Sequence, residues 1–199
     1  IEDLGALSNL KSQMIQQYIY PYSIHNYLKI SVQAPRGILL TGPTGCGKTV
    51  LANAICRDLN EKYGVNVFIR NAAEIVGSLS GESEKNVDLF FNGCLEAPSI
   101  LFIDEIDVVA GSRDRATKEM ERRVVTQLVG SIGIYIYILN LKDSLPTNVY
   151  VIAATSFPDL LDPGLRRCGR FDKEIMVAVP NDTQREEILR IIMKKMTIS

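Results

Sequence analysis

The sequence predicts an α/β fold in which helices cover a parallel β-sheet. Short apolar segments alternate along its 199 residues with segments whose apolar residues recur every three or four positions, a pattern typical of strands alternating with helices. Several apolar segments are almost uninterrupted by polar residues, which indicates strands buried on both faces of a sheet. The length suits one domain near the upper end of the usual range, or two small ones.

Five segments are predicted strands because each is a short apolar run that ends at polar or turn-forming residues. In chain order they are Gly37–Leu40, Asn66–Arg70, Ser99–Ile103, Val149–Ala154 and Glu174–Val179.

Helices are predicted between these strands, at Thr49–Leu59, Glu82–Leu95 and Lys118–Leu128. A last helix is predicted to begin at Thr183, because Glu186 three residues later completes a capping-box pattern. Its apolar face would consist of Ile188, Leu189, Ile191 and Ile192. The segment Ile132–Leu141 alternates like a strand, and an added edge strand, a hairpin or an aggregation-prone segment are the alternatives for it.

Composition excludes several classes of protein. Lys and Arg total 22 against 23 Asp and Glu, a net charge of −1 that excludes a broadly basic nucleic-acid binder. A hydrophobic content of 46% excludes wholesale disorder. The sequence contains no signal peptide and no run of about 18 apolar residues, so we expect an intracellular protein without membrane insertion. The four cysteines are far apart and only one histidine is present, which favours reduced thiols over a zinc site or disulfides.

The segment Gly42–Thr49 reads GPTGCGKT and matches the phosphate-binding pattern GxxxxGK[ST] in full. It follows a predicted strand and opens a predicted helix, as the motif requires. The glycines allow a tight curl that points backbone N–H groups at phosphate oxygens, Lys48 supplies a positive charge, and the Thr49 hydroxyl can ligate Mg²⁺. The predicted nucleotide contacts in this region are Pro43, Thr44, Gly45, Cys46, Gly47, Lys48, Thr49 and Val50.

A second motif places two carboxylates after a buried strand, where Ile100–Asp107 reads ILFIDEID. Asp104 at the strand end can hold the water shell of Mg²⁺ beside the phosphate loop. Glu105 can polarise a water molecule for attack on the γ-phosphate. A solvated acidic turn is the alternative interpretation, but the two motifs support each other because each supplies what the other lacks.

With both motifs present, the sequence resembles the AAA ATPases over nearly its whole length. Further shared segments are SGESE at Ser80–Glu84, MERR at Met120–Arg123, AATSFPD at Ala153–Asp159 and LDPGLRRCGRFD at Leu161–Asp172. The resemblance implies an ATPase that uses ATP or ADP with Mg²⁺. It also implies a P-loop α/β subdomain whose five parallel strands lie in the order 5-1-4-3-2, followed by a small helical lid, and six such modules in a ring.

The family lid is expected to lie beyond Ser199, so residues 1–199 are interpreted as the large α/β subdomain of a longer, tandem-AAA protein. The start at Ile1 without methionine is consistent with that interpretation. Without the lid, the chain is expected to bind nucleotide weakly and to assemble poorly.

The resemblance also implies roles for residues outside the two motifs. Arg167 and Arg170 match arginine fingers that reach the γ-phosphate of a neighbouring subunit, and two ordinary surface arginines are the alternative. Ser156 stands where the family usually has an asparagine that positions the attacking water, and a hydroxyl has a shorter reach and one donor fewer. The resemblance implies that Asp3, Leu4 and Gly5 close over the adenine. It also implies that Leu79, Ser80 and Gly81 form the pore loop, which has less apolar area here than is usual in the family.

Within the family, AEIVGSLSGESE and KEMERRVVTQL look most like the first module of the nuclear valosin-containing-protein-like ATPases. This resemblance implies a homo-hexameric full-length protein that remodels a protein or pre-ribosomal substrate in the nucleus or nucleolus, without sequence-specific nucleic-acid contacts. The alternatives are a cytoplasmic segregase module of the valosin-containing-protein type and a nucleotide-binding ring module with slow turnover.

Overall fold

A computed structural model describes residues 7–16, 37–76, 99–110, 126, 130, 149–167 and 170–196. Its strands are β1 Gly37–Thr41, β2 Asn66–Asn71, β3 Ser99–Asp104, β4 Val149–Thr155 and β5 Lys173–Met176. They form one sheet in the order β2-β3-β4-β1-β5, and every neighbouring pair is parallel. This is the predicted order 5-1-4-3-2 counted from the opposite edge, so the predicted fold class is confirmed.

The first four strands begin at the predicted residues and extend one residue further, but the predicted end of the fifth strand is wrong. β5 stops at Met176, whose register partner Thr41 is the last residue of β1. One more contact follows, from Val177 N to Thr41 O at 2.7 Å. Beyond it the chain turns away from the sheet at Gly42, so none of the described strands lies beside residue 178 and the residues that follow it.

The described helices are α1 Ser8–Met14, α2 Lys48–Tyr63, α3 Ala73–Val76 and α4 Asp182–Lys195. Short 3₁₀ turns lie at Ile106–Val108, Pro158–Leu160 and Pro163–Arg166. α2 is longer than predicted, and Gly64, which follows its last residue, adopts the left-handed conformation with φ 64° that ends the helix. The predicted helices 82–95 and 118–128 (apart from Thr126) and the unusual segment 132–141 lie outside the described residues.

The capping box predicted at Thr183 and Glu186 is wrong by two residues. Asn181 is the N-cap of α4: its side chain accepts from Gln184 N, and Asn181 N donates to Gln184 Oε1. Asn is at least as good an N-cap as Thr, and the Thr183 hydroxyl itself donates to Asn181 Oδ1 at 2.8 Å. Of the predicted apolar face, Leu189 is 58% exposed and Ile192 is 45% exposed.

The core lies between the sheet and the helices α1 and α2. Alternate residues of β1, β3 and β4 pack against α2 through Leu51, Ile55 and Leu59, and Met14 of α1 joins the same cluster. The intervening strand residues, such as Leu39 and Leu101, are also fully buried. These central strands are therefore buried on both faces, as predicted. Among the described residues, no helix is long and apolar enough to cross a membrane.

Candidate nucleotide site

The loop between β1 and α2 has a backbone that only glycine adopts easily. Gly42, Gly45 and Gly47 have φ values of 141°, 83° and 93°. At Gly42 an added Cβ would also lie 2.2 Å from the carbonyl oxygen of Val177, so no other residue fits there. Pro43, Thr44 and Gly45 are exposed at the turn of the loop.

The ammonium group of Lys48 ties this loop to the neighbouring strand. Its Nζ donates to Gly42 O at 2.8 Å, to Pro43 O at 2.9 Å and to Ser156 Oγ at 2.9 Å. Ser156 directly follows β4, which lies next to β1 in the sheet. Lys48 is only 8% exposed, so the structure fixes a positive charge at the carboxyl edge of the two strands.

The next residue, Thr49, ties the loop to β3. Its Oγ1 donates to Asp104 Oδ2 at 2.8 Å. Hydroxyl and carboxylate oxygens are ligands that Mg²⁺ prefers, so this pair fits the cation implied by the sequence. Among the described residues no cluster of three or more His, Cys, Asp or Glu could hold a metal.

Glu105 follows Asp104 in a strained conformation, with φ 52° and ψ 43°. Its Oε2 accepts a 3.2 Å hydrogen bond from Asn71 Nδ2. The other end of the Asn71 amide, Oδ1, accepts from Ala73 N at 2.8 Å. Asn71 was not among the predicted site residues, although a polar residue directly after the predicted strand 66–70 was the available signal. In the sheet, Asn71 is the register partner of Asp104.

Asp107 holds the end of β4, directly before Ser156. The Thr155 hydroxyl donates to Asp107 Oδ1 at 2.5 Å and accepts from Phe157 N at 2.9 Å. Thr155 is thereby fixed to the turn that follows Glu105, and Phe157 is fixed to Thr155. Asp107 lies within the predicted carboxylate motif, but its contact with β4 was not predicted.

The backbone of Arg170, one of the two predicted finger arginines, lies away from this cluster. The carbonyl of Arg170 lies against Gly37, where an added Cβ would be 1.8 Å from it. Gly37 begins β1, whereas the phosphate loop follows its carboxyl end, roughly 15 Å away at about 3.3 Å per residue. The Arg170 guanidinium donates to Gly164 O at 2.5 Å, and Arg167 is exposed. The backbone of Arg170 is therefore at the opposite end of β1 from the phosphate loop of its own chain.

A pocket of about 470 Å³ adjoins the phosphate loop. The predicted residues Gly45, Cys46, Gly47 and Val50 line one side of it. The other walls are formed by residues that were not predicted, namely Leu7, Asn9, Leu10 and Gln13 on or beside α1, and Met176, Ala178, Pro180, Gln184 and Ile188 near β5 and α4. A largely apolar slot of this size suits a planar base.

Two predicted groups of site residues lie outside the described residues. They are the adenine contacts Asp3, Leu4 and Gly5, and the pore loop Leu79, Ser80 and Gly81.

The chain is similar to known proteins both in its family and along nearly its whole sequence. The family model for the ATPases associated with various cellular activities (AAA) matches residues 38–179. Cell division control protein 48 homolog C of Arabidopsis thaliana is 40% identical over 99% of the chain. Nuclear valosin-containing protein-like of Mus musculus is 40% identical over 99% of it, and an uncharacterized AAA domain-containing protein of Schizosaccharomyces pombe is 41% identical over 100%. The chain spans 24%, 22% and 25% of these three relatives, about a quarter of their length.

Proposed function

The chain belongs to the AAA family of ATPases, and from this premise we propose that it binds ATP with Mg²⁺ and hydrolyses the γ-phosphate bond. One observation carries the proposal. The consecutive residues Lys48 and Thr49 contact Ser156 after β4 and Asp104 at the end of β3, respectively. One edge of the sheet thus brings together the Lys48 ammonium group, the Thr49 and Asp104 oxygens that could bind a cation, and the carboxylate of Glu105, whose backbone is strained.

Each of these groups has a chemical task in phosphoryl transfer. Lys48 and the N-terminus of α2 would attract the phosphate oxygens, and Thr49 and Asp104 would hold Mg²⁺. When bound, Mg²⁺ neutralises charge on the phosphate oxygens. Glu105 orients the attacking water and accepts its proton, and Ser156 donates a hydrogen bond that helps to place that water.

Arg167 and Arg170 are proposed to act on the nucleotide of a neighbouring subunit. The position of the Arg170 backbone at the amino end of β1 supports action across a boundary rather than within the chain. A guanidinium there would stabilise charge that spreads over the phosphate oxygens as the bond breaks. By family resemblance, Asp3, Leu4 and Gly5 are proposed to close over the adenine, and Leu79, Ser80 and Gly81 to contact a threaded substrate.

For the whole protein we propose a homo-hexameric ring in which residues 1–199 are the large subdomain of one AAA module. A protein or pre-ribosomal substrate in the nucleus or nucleolus is supported by 40% identity to a relative whose name places it in the nucleus. A segregase of the valosin-containing-protein type is the alternative. Co-sedimentation of the full-length protein with precursors of the large ribosomal subunit supports the first proposal, and recovery of the protein only with ubiquitin-linked cytoplasmic complexes would overturn it.

Slow turnover is a second candidate, favoured by the contact between Lys48 Nζ and Ser156 Oγ. In this contact the hydroxyl oxygen of Ser156, the residue that stands in place of the family asparagine, accepts from Lys48, which restricts the directions in which the hydroxyl can donate to a water molecule. A nucleotide-binding module of this kind would stabilise a ring rather than drive it.

The binding step is tested by titration of the wild type and Lys48→Ala with ATP and Mg²⁺. We expect Lys48→Ala to bind almost no nucleotide, because the charge at the loop is lost. Lys62→Ala is the matched control, since Lys62 lies on the same helix with 49% of its side chain exposed. Equal affinity of the wild type and Lys48→Ala would remove the phosphate loop from the proposed mechanism.

A further inference from the structure

α1 is joined to α2 by a buried ion pair. Lys11 Nζ lies 2.6 Å from Asp58 Oδ2, and each side chain is only 6% exposed. Lys62 approaches the same carboxylate at 3.8 Å but is 49% exposed. The two lysines therefore contact one carboxylate from very different surroundings, one in the interior and one at the surface.

The ion pair occupies a position on α1 where an apolar residue would be expected. Leu7, Leu10, Lys11 and Met14 follow the three- and four-residue spacing of one helix face. Met14 is fully buried in the core, and Leu7 and Leu10 pack against the same cluster. Lys11 is thus a charged residue on an otherwise apolar, inward-facing stripe.

A buried ion pair contributes little net stability compared with apolar residues of similar size, because both charges must lose their water. Its best-attested use is to select one register of two packed elements. For α1, the register decides which side chains face the neighbouring pocket. Leu7 and Leu10 both line that pocket, and Leu7 Cδ1 lies 2.8 Å from the position of a Cβ added to Gly47.

We propose that Lys11 and Asp58 are positioning residues for recognition of the nucleotide base. Their ion pair fixes the register of α1 on α2 and so holds Leu7 and Leu10 as the apolar wall beside the phosphate loop. The inference rests on the proposed nucleotide function. It assigns the base, and not the phosphates, as the part of the nucleotide that depends on this pair.

The test compares two ligands, ADP with Mg²⁺ and inorganic tripolyphosphate with Mg²⁺. In Lys11→Met we expect the affinity for ADP to fall by about tenfold or more, with the affinity for tripolyphosphate within about twofold of the wild type. Lys62→Met is the matched control and should leave both affinities unchanged. The exchanged pair Lys11→Asp/Asp58→Lys should recover part of the affinity for ADP.

Lys11→Met leaves the buried Asp58 carboxylate with only the longer contact to the half-exposed Lys62, and so disturbs folding. A second variant therefore separates stability from positioning. Lys11→Met/Asp58→Leu removes both charges, so we expect its melting temperature to match or exceed that of the wild type. Its affinity for ADP should nevertheless fall, because the register is no longer selected.

If the double variant binds ADP with wild-type affinity, or if Lys11→Met loses ADP and tripolyphosphate binding equally, the role of the ion pair is overturned and the proposed nucleotide function still stands. A wild-type protein that binds neither ligand overturns the proposed function, and this inference falls with it.

Discussion

Asn71 Nδ2 donates a 3.2 Å hydrogen bond to Glu105 Oε2, joining the end of β2 to the residue that follows β3. The carboxylate belongs to a residue with φ 52°, a conformation that costs a non-glycine residue about 1–3 kcal/mol and that persists where the surroundings hold it. The hydrogen bonds of Glu105 N to Asp104 Oδ1 and of Val108 N to Glu105 O hold its backbone. Asn71 therefore orients a side chain whose backbone is already fixed.

Asn71→Ala should reduce kcat by about tenfold and leave the Kd for ATP unchanged, because only the orientation of the Glu105 carboxylate is lost. Asn71→Asp keeps the acceptor for Ala73 N but places a second carboxylate beside the first, so its kcat should fall further. Asn66→Ala, at the exposed start of the same strand, is the control. A parallel loss of ATP binding would indicate a structural role for Asn71 instead.

Glu105→Gln should retain ATP binding and lower the hydrolysis rate by about 10²-fold or more, since the amide keeps the shape of the side chain but cannot accept a proton. The measurement is single-turnover hydrolysis by this module in the assembled full-length protein. Unchanged turnover would mean that another group prepares the water.

Ser156→Asn should raise kcat if the serine limits turnover, because an amide reaches further and offers a second donor. The same variant separates the two candidate functions. A substantial increase in steady-state hydrolysis supports slow turnover in the wild type, whereas an unchanged or lower rate supports a fully active wild-type module.

Subunits of Lys48→Ala mixed with subunits of Arg167→Ala/Arg170→Ala should hydrolyse ATP, although each preparation alone is inactive. The Lys48→Ala subunits supply the arginines, and the Arg167→Ala/Arg170→Ala subunits supply the phosphate loop. The measurement uses a longer protein that includes the lid. Arg166→Ala is the control, because Arg166 forms an exposed pair with Glu174. A lid-containing protein that is monomeric and whose specific activity is independent of concentration would contradict the shared site.

Cys46 should be alkylated in the native protein, and ADP with Mg²⁺ should slow that reaction, because Cys46 is half-buried and lines the pocket. Burial raises the pKa of the Cys56 thiol from 9.0 to about 12. Only about one part in 10⁴ of Cys56 is therefore thiolate at about pH 8, and it should remain unmodified until the protein unfolds. Peptide-level mass spectrometry measures both sites, and modification of Cys46 at the same rate with and without ADP would place the nucleotide elsewhere.

Much of the site could be predicted from sequence because its central parts are contiguous. The phosphate loop is a run of glycines followed by Lys48 and Thr49, and the strand before it and the helix after it are recognisable from local apolar patterns. The same holds for Asp104, which ends β3, and for Glu105, which follows it. Each of these features needs only neighbouring residues to be recognised.

The boundaries of β5 and α4 depended on contacts with other residues that the local sequence pattern does not show. β5 stops where β1 turns at Gly42, although its own sequence remains apolar to Val179. Asn181 rather than Thr183 caps α4, because two residues with similar capping preference compete for the same role.

Local sequence determined the fold class and the residues that carry phosphate chemistry, because backbone conformation, charge and strand burial are properties of short segments. Only the tertiary structure decided the pairing of Asn71 with Glu105, the ion pair of Lys11 with Asp58 and the walls of the pocket. Each of these joins segments that are distant in the chain. Such contacts depend on how the parallel sheet and its covering helices pack, and no pattern within either segment encodes that geometry.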